Sequence, residues 1–418
     1  MNDERSRELF DRLLKVMPGG NTRTVTHYEP FPLGIARGEG CRIWDVDGNS
    51  YIDFVNNYTV LVHGHAAPRI VEAIARAASQ GTVFPAPTEL QAELAERICA
   101  RTPSIERLRF CNSGSEAVMM AVRAARAFTG RDELIMPSGG YHGCWEQVSV
   151  EPEGKAVTAR GAAGQSLPAG VPAAVAGLIH FVRYNDIGHL EELMERHGAS
   201  LAAIILEPVL GHVCEPGDPD FVRAALRLAH QCGALLILDE VVTSRLHVGG
   251  WQVMHGIEPD LTTLGKTIGG GLPIGAFGGK ESIMAVFDPR RVELVPSHGT
   301  FNGNSLSMAA GCACLDMLDQ SEIDRINGLG EGLVDLLGSA ARHAGVEMRI
   351  SSIGSLLHVH TPLQKELHRA CLEEGVYIAP RGSMNVSTAM TEDVVEETME
   401  AWRRALGRVT AASSAVRS

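Results

Sequence analysis

Short apolar runs alternate with helix-like segments through the middle of this 418-residue chain, and no other feature limits the fold as strongly. The apolar runs are typical of buried strands and lie at 107–111, 133–136, 178–183, 202–206 and 234–238. Segments with helical periodicity separate them, at 115–128, 186–197 and 219–231. This order predicts an α/β fold in which a mostly parallel sheet carries helices on both faces.

The two ends of the chain have a different pattern. Residues 5–17 have helical periodicity, 35–54 alternate in polarity as short antiparallel strands do, and helices mix with short strands in the tail. A single core stops growing at roughly 250–300 residues, so two packed units are expected. We predict a large domain and a smaller α+β domain built from both termini, with bounds 59–304 for the first and 1–58 plus 305–418 for the second.

Composition excludes several classes of partner. The formal net charge is -13 and the basic residues are scattered, which argues against nucleic acid binding. No stretch approaches the ~18 apolar residues of a membrane span, and the charged start is unlike a signal peptide, so we expect a cytoplasmic protein with no membrane partner. The nine cysteines are dispersed, and Cys312 and Cys314 lack the paired ligands of a zinc site. No metal site is predicted.

An acidic residue and a lysine stand out in the second half of the chain. Asp239 ends the apolar run 235–238, and Lys266 follows 27 positions later (266 minus 239). Pyridoxal phosphate needs such a pair, because a lysine amine binds its aldehyde and a carboxylate keeps its ring nitrogen protonated. Asp239 also fits the plain end of a buried strand, and that alternative stays open on local grounds.

The segment around Lys266 also resembles the end of a nucleotide-binding loop. That motif, G-x-x-x-x-G-K-[ST], requires a glycine at the position that Asp260 occupies, so an ATPase site is excluded. The neighbours of Lys266 are apolar residues and glycines instead of the charges of an exposed helix face. A lysine that loses water there has a lowered pKa and can act as a nucleophile.

A second motif suits a phosphate group. Ser113, Gly114 and Ser115 lie between a predicted strand and a predicted helix, where backbone amides, the helix dipole and two hydroxyls favour an anion. Ser113 with Glu116 fits a helix capping box equally well. Because ligands of open parallel sheets bind beyond the carboxyl ends of strands, this turn is expected at the same edge as Asp239.

Four further residues are candidates for contact with a cofactor. The Tyr141 ring, on a glycine-rich loop, suits stacking on a pyridine ring, and Val241 suits the opposite face. Glu207 ends another strand and could reach the phenolic edge of the ring. Thr300 could donate a hydrogen bond to a phosphate, although a turn hydroxyl that bonds its own backbone explains it as well. His142 is given no role.

Six ordered motifs together resemble the class III, fold type I pyridoxal phosphate aminotransferases, and the resemblance spans nearly the whole chain. The branch that it resembles most holds β-phenylalanine (β-amino acid) aminotransferase and glutamate-1-semialdehyde aminomutase. The motifs are Ser113-Gly114-Ser115-Glu116-Ala117, Tyr141-His142-Gly143, Glu207-Pro208, Leu238-Asp239-Glu240-Val241, Leu264-Gly265-Lys266 and Gly299-Thr300-Phe301-Asn302-Gly303-Asn304.

The resemblance implies roles for these residues. It makes Lys266 the Schiff-base lysine and Asp239 the partner of the ring nitrogen, and it makes Gly114 and Ser115 phosphate ligands with Tyr141 as the stacking ring. It also implies that Thr300 of one subunit binds the phosphate in the neighbouring subunit, so a homodimer with composite sites is expected.

The same resemblance suggests substrates. Arg23 and Arg381 lie where this branch shapes its pocket, and an arginine binds a carboxylate with two hydrogen bonds. Both settings resemble β-phenylalanine aminotransferase, which predicts ping-pong transfer from a β-amino acid to a 2-keto acid such as 2-oxoglutarate or pyruvate. Two alternatives stay open. One is a glutamate-1-semialdehyde-type 2,1-aminomutase, and the other is a D-phenylglycine-like α-amino acid aminotransferase.

Overall fold

The computed structural model describes residues 2–149, 151–152, 159–160 and 165–417. The chain forms two compact units, one of Met1–Val71 with Ser321–Ser418 and one of Glu72–Gln320. The N-terminal and C-terminal segments therefore share a unit, whereas the domain bounds given above stay a prediction. No helix among the described residues has the length together with the apolar character that a bilayer crossing requires.

Helices and strands alternate along the described chain, as the elements in chain order make clear. The helices are α1 Glu4–Leu14, α2 Asn56–Thr59, α3 Pro68–Gln80, α4 Glu89–Arg101, α5 Gly114–Thr129, α6 Ala173–Ala176, α7 Ile187–His197, α8 Pro219–Cys232, α9 Gly250–Met254, α10 Glu281–Met284, α11 Ser305–Met317, α12 Gln320–His343, α13 Gln364–Glu373 and α14 Glu392–Arg417. The strands are β1 Ile35–Glu39, β2 Arg42–Asp45, β3 Ser50–Asp53, β4 Arg107–Cys111, β5 Glu133–Pro137, β6 Glu151–Pro152, β7 Ala159–Arg160, β8 Gln165–Leu167, β9 Ile179–Val182, β10 Leu201–Leu206, β11 Val209–Leu210, β12 Glu215–Pro216, β13 Leu235–Asp239, β14 Leu261–Gly265, β15 Gly275–Gly279, β16 Arg349–Ile353, β17 Leu356–His360, β18 Val376–Tyr377 and β19 Ser383–Asn385.

The unit Glu72–Gln320 contains a seven-stranded sheet in the order β4-β15-β14-β13-β10-β5-β9. The five strands from β14 to β9 pair in parallel. Strand β15 runs antiparallel to both of its neighbours. The predicted α/β fold with a mostly parallel sheet is therefore confirmed, and β15 is a strand that the sequence pattern did not predict.

The core of this unit follows from its apolar runs. Strands β10 and β13 are buried along their whole length. Helix α5 packs on β14 and β15 through small side chains, because Ala117, Ala121 and Ala125 are completely buried. This helix ends at Gly130, whose φ of 68° is the left-handed conformation that glycine adopts most readily at a helix end.

The unit built from the chain ends carries two small sheets, ordered β1-β2-β3-β18 and β16-β17-β19. Strands β1 to β3 are antiparallel, and β18 pairs with β3 in parallel, so residues from both termini share one sheet. The Asp45 carboxylate holds the turn between β2 and β3. It accepts hydrogen bonds from the backbone N of Asp47 at 3.0 Å and of Asn49 at 2.8 Å.

Candidate active site

Several strands of the large sheet are followed by polar side chains at the same edge. Asp239 ends β13, Glu207 follows β10, Lys266 follows β14, and Tyr141 with His142 lies in the loop after β5. Because these strands pair in parallel, their carboxyl ends meet. Ligands of such sheets bind at this edge. The structure thus brings together side chains that the sequence places up to 125 positions apart (266 minus 141).

Asp239 is buried and held by three hydrogen bonds. Its Oδ2 lies 2.8 Å from Nδ1 of His142, and its Oδ1 accepts from the Thr263 hydroxyl at 2.9 Å and from the backbone N of Val241 at 3.2 Å. Burial by itself lowers the pKa of His142, but the hydrogen bond and the negative charge of Asp239 outweigh it and raise that pKa. A fixed carboxylate beside a proton-holding imidazole suits a ligand that carries a protonated ring nitrogen.

Glu207 is the second buried carboxyl at this edge. It accepts hydrogen bonds from the backbone N of Tyr141 at 2.7 Å and of Gly211 at 3.1 Å. Burial raises its pKa to about 7, and the charge of Asp239 adds to the rise, while His142 acts against it. Glu207 therefore fixes the loop that carries Tyr141 and exchanges its proton near neutral pH.

Lys266 begins a short 3-10 turn at the end of β14, and its side chain is half-buried. Its φ of 47° is left-handed, a conformation that costs a non-glycine residue about 1–3 kcal/mol and that is common at functional sites. Burial lowers the pKa of the amine. Glu207 and Asp239 oppose this shift, and Arg245 adds to it. The environment therefore favours the neutral, nucleophilic amine.

Glycine allows the start of α5 to lie against the strand ends. A Cβ at Gly114 would lie only 3.0 Å from both Cγ atoms of Val241, and one at Gly265 would lie 3.5 Å from the Gly114 Cα. Val241, Gly114 and the residue before Lys266 are therefore in direct contact. The first turn of a helix has N–H groups without acceptors inside the helix, and these groups favour an anion.

The two serines of this turn have different surroundings. The Ser113 hydroxyl accepts a hydrogen bond from the backbone N of Glu116 at 3.2 Å, so Ser113 caps α5, as the capping-box alternative predicted. The Glu116 carboxylate accepts from the backbone N of Asn112, one residue before the position of the standard motif. Ser115 Oγ lies 3.9 Å from Cys144 Sγ in the loop after Tyr141. Capping leaves the hydroxyl proton of Ser113 available as a donor.

Two predicted contact residues are exposed. The Tyr141 side chain is 61% exposed, although its backbone is fixed by Glu207. Thr300 lies in an exposed turn beside Phe301, which is 60% exposed. The turn is anchored through Asn302, whose Oδ1 accepts from Asn112 Nδ2 at 2.8 Å.

Arg23 and Arg381 belong to the unit built from the chain ends, where both lie near Tyr58. Nη1 of Arg23 donates to Oδ1 of Asn57 at 2.7 Å, and its guanidinium carbon is 5.8 Å from the centre of the Tyr58 ring. Burial raises the pKa of Tyr58, and the charges of both arginines act against the rise. The structure therefore brings the two predicted carboxylate-binding residues to one place.

The segment that holds Arg23 has an unusual backbone. Residues Asn56 to Thr59 all have positive φ, with values of 45°, 50°, 58° and 74° along the chain. Left-handed turns of non-glycine residues are rare, and asparagine adopts them most readily. The turn places Asn57 and Tyr58 against Arg23, and the Tyr58 hydroxyl donates to the backbone O of Val25 at 2.9 Å.

Three contacts at this edge were not predicted. His142 and Thr263 hold Asp239, and Glu240 turns away from Asp239 to accept hydrogen bonds from the backbone N of Trp251 and of Gln252, both at 2.8 Å. The position of His142 beside Tyr141 was a signal in the sequence. Its partner could not be read there, because the contact crosses from one strand end to another.

Comparison with known proteins decides the family. The family model described as aminotransferase class-III matches residues 24–406. This chain belongs to the class III aminotransferases. The class III resemblance seen in the sequence is thereby confirmed, and so is pyridoxal phosphate as the cofactor, on which these enzymes depend.

Two relatives and one solved structure show how far the similarity of this class III aminotransferase extends. A β-phenylalanine transaminase from Variovorax paradoxus is 40% identical over 405 residues, which cover 93% of this chain and 89% of the relative. A glutamate-1-semialdehyde 2,1-aminomutase from Pelotomaculum thermopropionicum is 39% identical over 427 residues, with 96% and 97% covered. A transaminase structure with pyridoxal phosphate bound matches with a TM-score of 0.94 and 36% identity over 99% of both chains. The fold is therefore fold type I.

Proposed function

We propose that this aminotransferase moves the amino group of a β-amino acid to a 2-keto acid. An aromatic donor of the β-phenylalanine kind is the first candidate, with 2-oxoglutarate or pyruvate as the acceptor. The proposal rests chiefly on the placement of Arg23 and Arg381 beside Tyr58, in a chain 40% identical to a β-phenylalanine transaminase. Donor and acceptor both carry a carboxylate, and an arginine binds a carboxylate with two parallel hydrogen bonds.

The residues around Lys266 fit pyridoxal phosphate in charge and in shape. The lowered pKa of Lys266 suits an amine that bonds covalently to an aldehyde, and the fixed carboxylate of Asp239 suits a protonated ring nitrogen. When bound, the cofactor supplies an electron sink that makes a C–H bond of the substrate acidic. His142 and Thr263 hold the Asp239 carboxylate in one orientation for this purpose.

We assign the two faces and the phenolic edge of the cofactor ring to three residues. Tyr141 stacks on one face, Val241 covers the other, and the Glu207 carboxyl lies at the phenolic edge. Support comes from the hydrogen bond between Glu207 and the backbone N of Tyr141, and from the contact of Val241 with Gly114 at the start of α5.

We assign the cofactor phosphate to the start of α5. Ser113 and Ser115 contribute hydroxyl donors, and Gly114 lets the backbone approach the anion. Thr300 of the partner subunit completes this site in a homodimer. The exposure of Thr300 and Phe301 supports a contact with a second copy of the chain, since a large apolar ring on an exposed turn is stabilised by burial in an interface.

Lys266 moves the proton in both halves of the ping-pong reaction. After the incoming amine displaces it, Lys266 takes the proton from the substrate carbon and returns a proton at the other end of the shift. A positioned acid–base group of this kind contributes ~10²–10⁴-fold to the rate. Release of the keto acid completes the first half, and a second keto acid takes the amino group in the other half.

Two other activities have support of their own. The 39% identity to a glutamate-1-semialdehyde 2,1-aminomutase favours an enzyme that keeps the amino group on one molecule. The sequence around Arg381 also resembles D-phenylglycine aminotransferase, which acts on an aromatic α-amino acid. An aminomutase needs no external keto acid, so the requirement for an acceptor separates it from both aminotransferases.

A donor screen tests the proposal. The purified holoenzyme is incubated with α-, β- and ω-amino acids, each with pyruvate, with 2-oxoglutarate or with no acceptor, and the new amino acid is measured. We expect product from β-phenylalanine only when an acceptor is present, in a one-to-one ratio with acceptor consumed. Conversion of glutamate-1-semialdehyde without acceptor, or higher kcat/KM for D-phenylglycine, would overturn the proposal in favour of the corresponding alternative.

A further inference from the structure

A glutamate and two histidines meet at the edge of the large sheet opposite Lys266. Glu133 begins β5, His180 is the second residue of β9, and His197 ends α7. The parallel strands β5 and β9 thus contribute their amino ends here, whereas the loop with Tyr141 follows the carboxyl end of β5. This group is independent of the transamination chemistry.

The three side chains direct one ligand atom each to a common point. Oε2 of Glu133 lies 2.7 Å from Nε2 of His180 and 3.2 Å from Nδ1 of His197. All three atoms lie within 4.8 Å of one another, and among the described residues no other group of three acidic, histidine or cysteine side chains converges in this way. We propose that Glu133, His180 and His197 form a binding site for Zn²⁺.

The chemistry of the three groups suits zinc. Two imidazoles and one carboxylate with an open fourth position are a common zinc ligand set. Burial lowers the pKa of His180, and the nearby His197 lowers it further although Glu133 acts against this, so a neutral ring with a free electron pair is favoured. The pKa of Glu133 is lowered, because hydrogen bonds from His180 and Ser200 outweigh its burial, and the carboxylate is an anion.

The geometry needs a small adjustment to admit the ion. Ligands about 2.1 Å from a tetrahedral zinc are about 3.4 Å apart, so the separations of 2.7 and 3.2 Å must open slightly. The two imidazole rings are stacked with their centroids 3.6 Å apart, and one ring must turn out of the stack. His197 can do so, because its side chain is 30% exposed and lies on the last residue of α7.

Zinc would connect the starts of two strands to the end of a helix. Such a site stabilises the folded chain in proportion to occupancy and has no contact with the catalytic edge. We therefore expect zinc to raise the unfolding temperature by a few degrees and to leave kcat of the holoenzyme unchanged.

Titration calorimetry with ZnCl₂ tests the proposal on tag-free holoenzyme that has been treated with a chelator. We expect wild-type protein to have a saturable site that His197→Gln and Glu133→Gln each weaken at least tenfold, because each loses one of three ligands. His343→Gln is the matched control, since His343 lies at the end of another helix with its Nδ1 bonded to the Ser339 backbone O. Its affinity should equal that of the wild type.

Unfolding temperatures and cofactor absorbance guard against a folding defect in either variant. Zinc should raise the unfolding temperature of the wild type and of the control, but not of a folded His197→Gln protein. Co²⁺ should give visible d–d absorption bands in the wild type only if imidazoles bind it in a four-coordinate site. Absence of saturable zinc binding by the wild type, or equal affinity in the two ligand variants, would overturn the proposal.

Discussion

At the scale of single residues, Lys266 has the surroundings of a nucleophilic amine, and its replacement gives the most direct prediction. Lys266→Ala should lower turnover by at least ~10²–10⁴-fold, because both the covalent bond and the proton carrier are lost. Borohydride reduction followed by intact mass measurement should add the cofactor mass to wild type and to Lys365→Ala, in which an exposed lysine is removed. Retention of that added mass by Lys266→Ala would contradict the assignment.

Glu207 gives the site a dependence of stability on pH. Its folded pKa of about 7 lies above the ordinary value of 4.5, so between these values the folded chain holds a proton that the unfolded chain has released. The stabilising contribution is therefore complete below pH 4.5 and is lost as the pH rises through about 7.

Glu207→Gln keeps the shape of the side chain and removes this dependence. Relative to wild type, the variant without cofactor should gain roughly 1–3 kcal/mol of unfolding free energy between about pH 5 and about pH 8. Thermal unfolding at the two pH values measures the difference, with the exposed Glu331→Gln as the control. A gain that does not change with pH would show that Glu207 is ionised when folded.

Arg23 and Asn57 should act as a pair. Arg23→Ala should chiefly raise KM for the amino acid, since the arginine binds a carboxylate in the ground state and the transition state alike. Asn57→Gly removes the hydrogen bond to Arg23 without backbone strain, because glycine tolerates the φ of 50°. It should raise KM in the same direction by a smaller factor.

A double-mutant cycle tests the connection between these two residues. If Asn57 acts only by positioning Arg23, the effects on KM will not add in the double variant, and Asn57→Gly will change nothing once Arg23 is alanine. Additive effects, or an unchanged KM in Arg23→Ala, would reject the assignment of Arg23 to the substrate carboxylate.

The acidic pair Asp239-Glu240 illustrates the limit of reading residues from the sequence. Both residues end the same apolar run, and both are buried. Only the fold separates them, because the side chains of consecutive residues leave a strand on opposite sides. Asp239 therefore meets His142 and Thr263 at the sheet edge, whereas Glu240 is used to hold the start of α9.

At the scale of elements, the approach of α5 to the strand ends depends on the absence of a side chain at Gly114. Gly114→Ala would place a Cβ 3.0 Å from two carbons of Val241, so the helix start or Val241 must shift. We expect a higher dissociation constant for pyridoxal phosphate, measured by titration of the chain without cofactor. Gly332→Ala is the control, because nothing lies within 4 Å of the Cβ added there. Equal affinity in both variants would contradict a role for this turn in cofactor binding.

Strand β15 is the element that the sequence pattern missed. Gly275–Gly279 includes three glycines, and glycine is depleted in strands. The structure supplies the reason, since a Cβ at Gly275 would lie 2.0 Å from the Ser113 carbonyl O and one at Gly279 would lie 2.1 Å from the Asp260 carbonyl O. Close backbone packing between neighbouring elements, which no local pattern reports, decided the composition of this strand.

At the scale of the whole molecule, composite sites predict that two defective subunits can restore each other. Lys266→Ala lacks the amine, and a Thr300→Val variant lacks the hydroxyl that a partner should contribute. In a mixed dimer, one site combines the intact Lys266 of one chain with the intact Thr300 of the other. Mixing the two variants, unfolded together and refolded, should therefore recover activity in part.

The complementation experiment has an internal control in its stoichiometry. A binomial mixture of equal amounts should make half of the molecules mixed dimers, each with one working site. Activity no greater than that of Thr300→Val alone would show that Thr300 acts within its own subunit or not at all. Light scattering on the wild type should give the mass of two chains.

The sequence by itself determined the α/β class, the sheet edge at which polar residues gather, and the lysine and carboxylate of the cofactor site. These features depend on periodicity and on residues next to one another, which physical chemistry connects directly to local structure. Tertiary structure alone decided that His142 holds Asp239, that Asn57 holds Arg23, and that Glu133, His180 and His197 converge. Each of these contacts joins distant segments, and the order of the strands and the exact turn between them decides which side chains meet.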